Sequence, residues 1–162
     1  MFYNTICLQL CSFLKSQVSK ITDPAHLEYI QIRRFAIARH VARLFVIYRR
    51  QWGIERMHPS GIQCVAVSCF ALFEGLEHPE NGDALITLCI AARDFGRHFV
   101  LAQGVLWMIQ FFARQINVNL PEQADALFRE FEMSGWMVKD PIQFNSLYLN
   151  AMDLFLQKGE RE

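Results

Sequence analysis

Two close cysteine pairs are the first residues whose types and spacing could do chemistry: Cys7 and Cys11, one helical turn apart, and Cys64 and Cys69. Thiolates at such separations can hold zinc or, beside a histidine, act as nucleophiles. The pattern stops short of both. No C-x2-C unit occurs, and no histidine follows either pair at zinc-finger spacing. The five histidines, at 26, 40, 58, 78 and 98, are scattered, and His58 and His78 each precede a proline in a turn-forming stretch. Glu74 and Glu77, three residues apart, could share acid–base work. Glu74 is instead expected to emerge at the rim of an apolar helix or to pair with an arginine. Nucleophile elbows, phosphate-binding loops, dinucleotide fingerprints and H-E-x-x-H are all missing. The chain is therefore read as a non-enzyme, with no catalytic and no metal-binding residue.

The arginines make a different offer. From Tyr29 to Arg56 seven arginines stand against one glutamate, whereas from Asn119 to the end eight carboxylates stand against four cations. Over the whole chain the charges cancel, 16 against 16, so net charge argues for neither nucleic acid nor an acidic membrane. Arg39, Arg43 and Arg50 fall on one helical face, which could track phosphates or dock an acidic segment. That face has no stacking aromatic and no amide to read bases. A partner-binding basic face is the better reading, with the acidic C-terminal third as its counter-surface within the chain. A second candidate is apolar: Trp107, Phe111 and Phe112 could line a ligand pocket or simply pack.

These residues must be positioned by helices, because the periodicity is helical almost throughout and nowhere strictly alternating. Residues 2 to 19 form a first helix. Thr22-Asp23-Pro24 is a cap-then-proline start for a second, longest helix. Its stripe, Leu27, Ile30, Ile37, Val41, Leu44, Phe45, Tyr48 and Trp52, is expected to pack while the arginines face water. Gly53 ends it in a left-handed cap, with Arg49 and Arg50 complementing the dipole of the last turn. Ile62 to Leu76 is apolar nearly all round and is expected at the centre. The run His78-Pro79-Glu80-Asn81-Gly82 reads as a turn, with Asp83 capping a fourth helix to about His98. A fifth spans about Leu101 to Val118, a sixth Pro121 to about Glu132, and a seventh begins at Asp140-Pro141 and fades near Lys158. The expected fold is all-α, a single array of about six or seven helices without a sheet. Residues 1–158 form one domain and 159–162 a polar tail.

Apolar residues make up 52% of the chain, 14 of them phenylalanine, which is ample for one core. Five cysteines without a signal peptide point to free thiols in a reducing compartment. The longest apolar windows, Ile62 to Leu76 and Phe99 to Ala113, are short of the ~20 residues a bilayer span needs.

The stretch FAIARHVARLFVIYRRQWGIERMHPSGIQCVAVSCFALF, residues 35 to 73, resembles the C-terminal part of the regulatory middle homology region of fungal binuclear zinc-cluster transcription factors. In that family a helix ending in a Tyr-Arg-Arg-like sequence, an aromatic-Gly turn and a further basic residue precede a central apolar helix. MFYNTICLQL is similar to an upstream helix of the region, and WMIQFFARQINVNLPEQADALF, residues 107 to 128, to a later helix leading to a Leu-Pro-acid start. Where the family has a Leu-His-Arg-Pro-like sequence, this chain reads Leu10-Cys11-Ser12-Phe13-Leu14.

The resemblance implies an all-α, nuclear regulatory module that modulates a transcription factor through a protein partner or an acidic segment of the same factor. The family's six-cysteine zinc cluster does not occur here, so no cofactor is expected in this chain, and no zinc ligand or DNA-contacting residue carries over. DNA would be contacted only through a missing N-terminal domain. The chain is accordingly expected to be truncated at its N-terminus, with homodimerisation open in a full-length context. The alternative is a ligand-sensing helical domain, or a free-standing interaction module unconnected with transcription.

Overall fold

The structure, a computed structural model, describes residues 1–18 and 24–133. Helices α1 (Phe2–Val18), α2 (Pro24–Trp52), α3 (Gly61–Phe73), α4 (Pro79–Gly96), α5 (Val100–Gln115) and α6 (Glu122–Met133) carry nearly all of it, with one 3₁₀ turn at Ile54–Arg56. No strand occurs among the described residues, as the helical periodicity requires. The cap at Thr22-Asp23, the seventh helix expected from Asp140 and the tail at 159–162 lie outside the described residues.

Layering follows from which helices are apolar on more than one side. Every residue of α3 except Gln63 and Val67 is buried, and α3 is wrapped by α1, α2, α4 and α5. Helix α4 touches α2, α3, α5 and α6, so α3 and α4 are the common wall of the array. The core runs from Leu8 through Val41 and Phe45 to Val65, Cys69 and Leu72, and on through Leu85, Leu88 and Phe95 to Ile109, Phe112 and Phe128. Phe45 and Phe112 meet Phe95 and Phe70, respectively, edge-on. Cys69 and Cys89 meet between α3 and α4, where burial first and their mutual hydrogen bond second push the Cys69 thiol well up. No helix of the described residues is long and apolar enough to cross a membrane.

Some helix ends follow local signals, and at others tertiary bonds override them. Gly53 does end α2, and its amide still reaches the Arg49 carbonyl at 3.2 Å. Its φ of 79° with ψ of 150° leads the chain straight out rather than into a left-handed cap, a backbone region open essentially to glycine alone. Helix α4 begins at Pro79, a full turn before Asp83. Proline is pre-set for the first helical position and drives His78 into the extended region, where φ is −88° and ψ 119°. The turn-forming residues Asn81 and Gly82 are therefore buried inside the helix. The fifth helix stops at Gln115 rather than Val118 because Asn117 takes a positive φ of 49°. Val118 N–H then bonds the Ala113 carbonyl (3.1 Å) and Asn117 N–H that of Arg114 (3.2 Å), a Schellman closure with Asn in glycine's place. Pro121 caps α6 from outside, its carbonyl accepting from Ala124 and Asp125.

Candidate functional site

Helix α2 divides into two faces whose residue types differ. The inner face carries Arg34, Phe35, Ala38, Val41, Ala42 and Phe45, all buried. Alanines at 38 and 42 leave room for α3 and α4 to approach, so the buried stripe centres on them rather than on the larger residues. Of the stripe expected to pack, Val41 and Phe45 are buried; Leu27, Ile30, Ile37, Leu44 and Tyr48 are half-buried. Trp52 is 50% exposed and tilts against Tyr48, with ring centroids 5.1 Å apart.

The outer face presents Tyr29, Ile32, Arg33, Ala36, His40, Arg43, Ile47 and Arg50, all exposed and, apart from the adjacent Ile32 and Arg33, spaced three or four apart. Arg43 and Arg50 have no ion-pair partner among the described residues. Arg33, outside the expected set, joins them on this face. It donates from Nε to Tyr29 Oη (3.0 Å) and sits 5.4 Å from the centre of that ring. The same 3-and-4 spacing that grouped Arg43 with Arg50 would have found it. The result is a stripe of cations alternating with apolar side chains.

Arg39, expected beside Arg43 on the solvated face, is turned inward at its tip. Its guanidinium donates to Asn81 Oδ1 at 2.9 Å and lies 3.5 Å from Glu80. Asn81 is fully buried and donates its amide to the Gly75 carbonyl at 2.7 Å. One side chain thus ties the α3–α4 turn to α2 through Arg39. Asn81→Leu is expected to cost about 1–3 kcal/mol, because the Arg39 guanidinium loses its buried acceptor and the Gly75 carbonyl loses one of its two donors, keeping only His78 N–H. Urea unfolding followed by circular dichroism measures this, and a change below about 0.5 kcal/mol, the scale of ordinary surface substitutions, would contradict it.

Behind the same helix lies a partly buried charge cluster. Glu74, at the end of α3, accepts from Arg34 Nη1 (2.8 Å) and Gln31 Nε2 (2.9 Å), and pairs with Lys15 of α1. Arg34 is 4% exposed, also bonds Gln31 Oε1 (3.0 Å), and its Nε has no partner among the described residues. Burial alone would raise the Glu74 carboxyl, but the charges of Arg34 and Lys15 and their hydrogen bonds outweigh it, and the net shift is downward. Glu74 therefore does pair with an arginine, and Glu77 stands apart, exposed beside His78. The partners of Arg34, Arg39 and Arg49 are Glu74, Glu80 and Asp94, from the end of α3 and from α4. Within the acidic C-terminal third, the described Asp125 pairs with its own neighbour Arg129.

The three aromatic candidates differ in burial. Phe112 is buried against Phe70, whereas Trp107 is half-buried and stacks on the exposed Phe111 at 5.2 Å. An open cleft of about 650 Å³ lies one turn further on, between the end of α5 and the start of α6. It is lined by polar residues including Gln110, Asn117, Asn119 and Glu122, and by none of the three aromatics. Among the described residues no group of three or more His, Cys, Asp or Glu side chains could hold a metal ion.

Over 91 residues, 56% of its length, the chain is 37% identical to the notoamide biosynthesis transcriptional activator notL' of Aspergillus versicolor. The chain spans only a small part of that protein, 15% of its length. No family model matches the chain. No solved structure matches it either.

Proposed function

We propose that this chain is a nuclear regulatory module of a fungal transcription factor, one that modulates transcription through protein contacts rather than catalysis. The observation that carries the reading is the 37% identity with a transcriptional activator. The resemblance of residues 35 to 73 to the regulatory middle homology region of zinc-cluster factors points the same way, and in that setting DNA is contacted by a different domain. The docking element is the outer face of α2, where Arg43 and Arg50 are unpaired among the described residues and Tyr29, Ile32 and Ile47 stand beside them. Such a stripe suits an acidic segment with interspersed apolar residues, of the same factor or of a partner. Cations supply steering and register, and the apolar side chains supply burial.

Arg43→Glu with Arg50→Glu tests this without disturbing the fold, since neither guanidinium has a bond among the described residues, whereas Arg39 does. Exposed pairs contribute about 0.2–1 kcal/mol each and reversal adds repulsion, so affinity for a fluorescent acidic activation peptide is expected to fall ~10-fold or more. The native chain's affinity is expected to weaken as salt rises. Unchanged binding by the double variant in an anisotropy titration would sink the docking assignment.

A further inference from the structure

Among the described residues, helix α1 packs on α2 and α3. Thr5 and Leu8 are buried beneath it, and its single charged residue, Lys15, reaches Glu74 on that inner side. Phe2, Tyr3, Ile6, Leu10, Phe13 and Leu14 are each between 48% and 77% exposed. At 100° per residue these six fall within about a third of the helix circumference, an apolar band from Phe2 to Leu14 that the exposed Gln17 ends in the last turn. An aromatic side chain carries about 150–250 Å² and Ile or Leu somewhat less, so the band leaves on the order of 700 Å² uncovered. That exceeds the largest patch on a typical monomer, ~300–600 Å². It approaches the ~800 Å² that each partner gives to a standard specific interface.

We propose that two copies of this chain associate through their α1 faces as a two-fold dimer. The occupant follows from charge as well as area. An acidic partner would find no cation on the band, whereas α2 offers it several. A second copy meets the band without like-charge repulsion, because neither band carries a charge and each Lys15 is committed to its own Glu74. In a two-fold interface each residue faces its counterpart set, so one apolar patch satisfies both sides. Leu10 and Ile6, in the middle of the band, are the anchors, and Tyr3 at its end keeps its hydroxyl at the wet rim.

The test is analytical ultracentrifugation of the full 162-residue chain over a concentration series. The native chain is expected to dimerise reversibly, and Ile6→Arg or Leu10→Arg to raise the dissociation constant at least ~10-fold with helicity unchanged, because charge at a hot spot is desolvated. Ala126→Arg, on exposed α6 surface, is expected to leave it unchanged. A native chain monomeric up to ~100 μM, weaker than any specific dimer of this area warrants, overturns the proposal. It does so whether residues 134–162 or a different protein then covers α1. A dimer that survives both α1 substitutions, or is lost with Ala126→Arg alone, overturns it as well. The native series stands by itself should either α1 variant misfold.

Discussion

Replacing Glu74 by alanine is expected to cost about 3–5 kcal/mol, because it leaves the buried Arg34 guanidinium without a countercharge. The loss reaches further than one pair. Glu74 is the acceptor shared by Arg34, Gln31 and Lys15, so it joins α1, α2 and α3 at one point. A domain of this size is stable by about 5–15 kcal/mol, so the variant should be marginally folded. The carboxyl is held below its ordinary 4.5, since Arg34 and Lys15 outweigh the upward effect of burial. A depressed carboxyl adds stability that is fully present above the unfolded value and is lost as pH falls through the folded one. Native stability should therefore decline as pH is taken below about 4.5, and Glu74→Gln should flatten that decline while keeping the shape of the side chain. Guanidinium unfolding at pH 7 and across the acid range reads both effects. A loss below 1 kcal/mol in Glu74→Ala, with an acid limb that Glu74→Gln does not change, would show that the cluster is not a keystone.

The second large effect is expected at Phe95. Its ring is fully buried where α2, α3 and α4 converge, edge-on to Phe45 at 6.2 Å and tilted against Phe99 at 6.1 Å. Its tip lies so close to Gly61 that a β-carbon there would come within 2.8 Å of it. Phe95→Ala should destabilise the fold by about 3–5 kcal/mol, the usual cost of truncating a buried aromatic in a wall that cannot collapse. Phe95→Leu should lose markedly less, because it retains most of the volume. Equal losses in the two variants, measured by denaturant midpoint, would show that the site relaxes around a void and that the three-helix junction is looser than its packing implies.

Much of the outer surface of α2 could be read from spacing, since an exposed arginine at 43 or 50 needs nothing from another helix. Arg39 could not be read this way. Its fate depended on Asn81, which arrives from α4 only because Pro79 starts that helix a turn early. The aromatics illustrate the same limit. Trp107, Phe111 and Phe112 share a helix, but consecutive residues point about 100° apart, so Phe112 enters the core while Phe111 faces out.

By itself the sequence determined the all-α class, the order of the six described helices and most of their ends, because helical periodicity, prolines and the Gly53 stop act over a few residues. It also determined that residues 49 and 50 close a helix with positive charge. Tertiary structure alone decided that Arg34 is buried with Glu74 and Lys15, that Asn81 serves the turn before α4 rather than breaking the helix, and that α1 keeps an apolar face outward. Glu74 meets Arg34 and Lys15 from 40 and 59 residues away, and Asn81 meets Arg39 across 42. The free energy of these contacts depends on which charges and carbonyls meet in low dielectric, a quantity no local window contains.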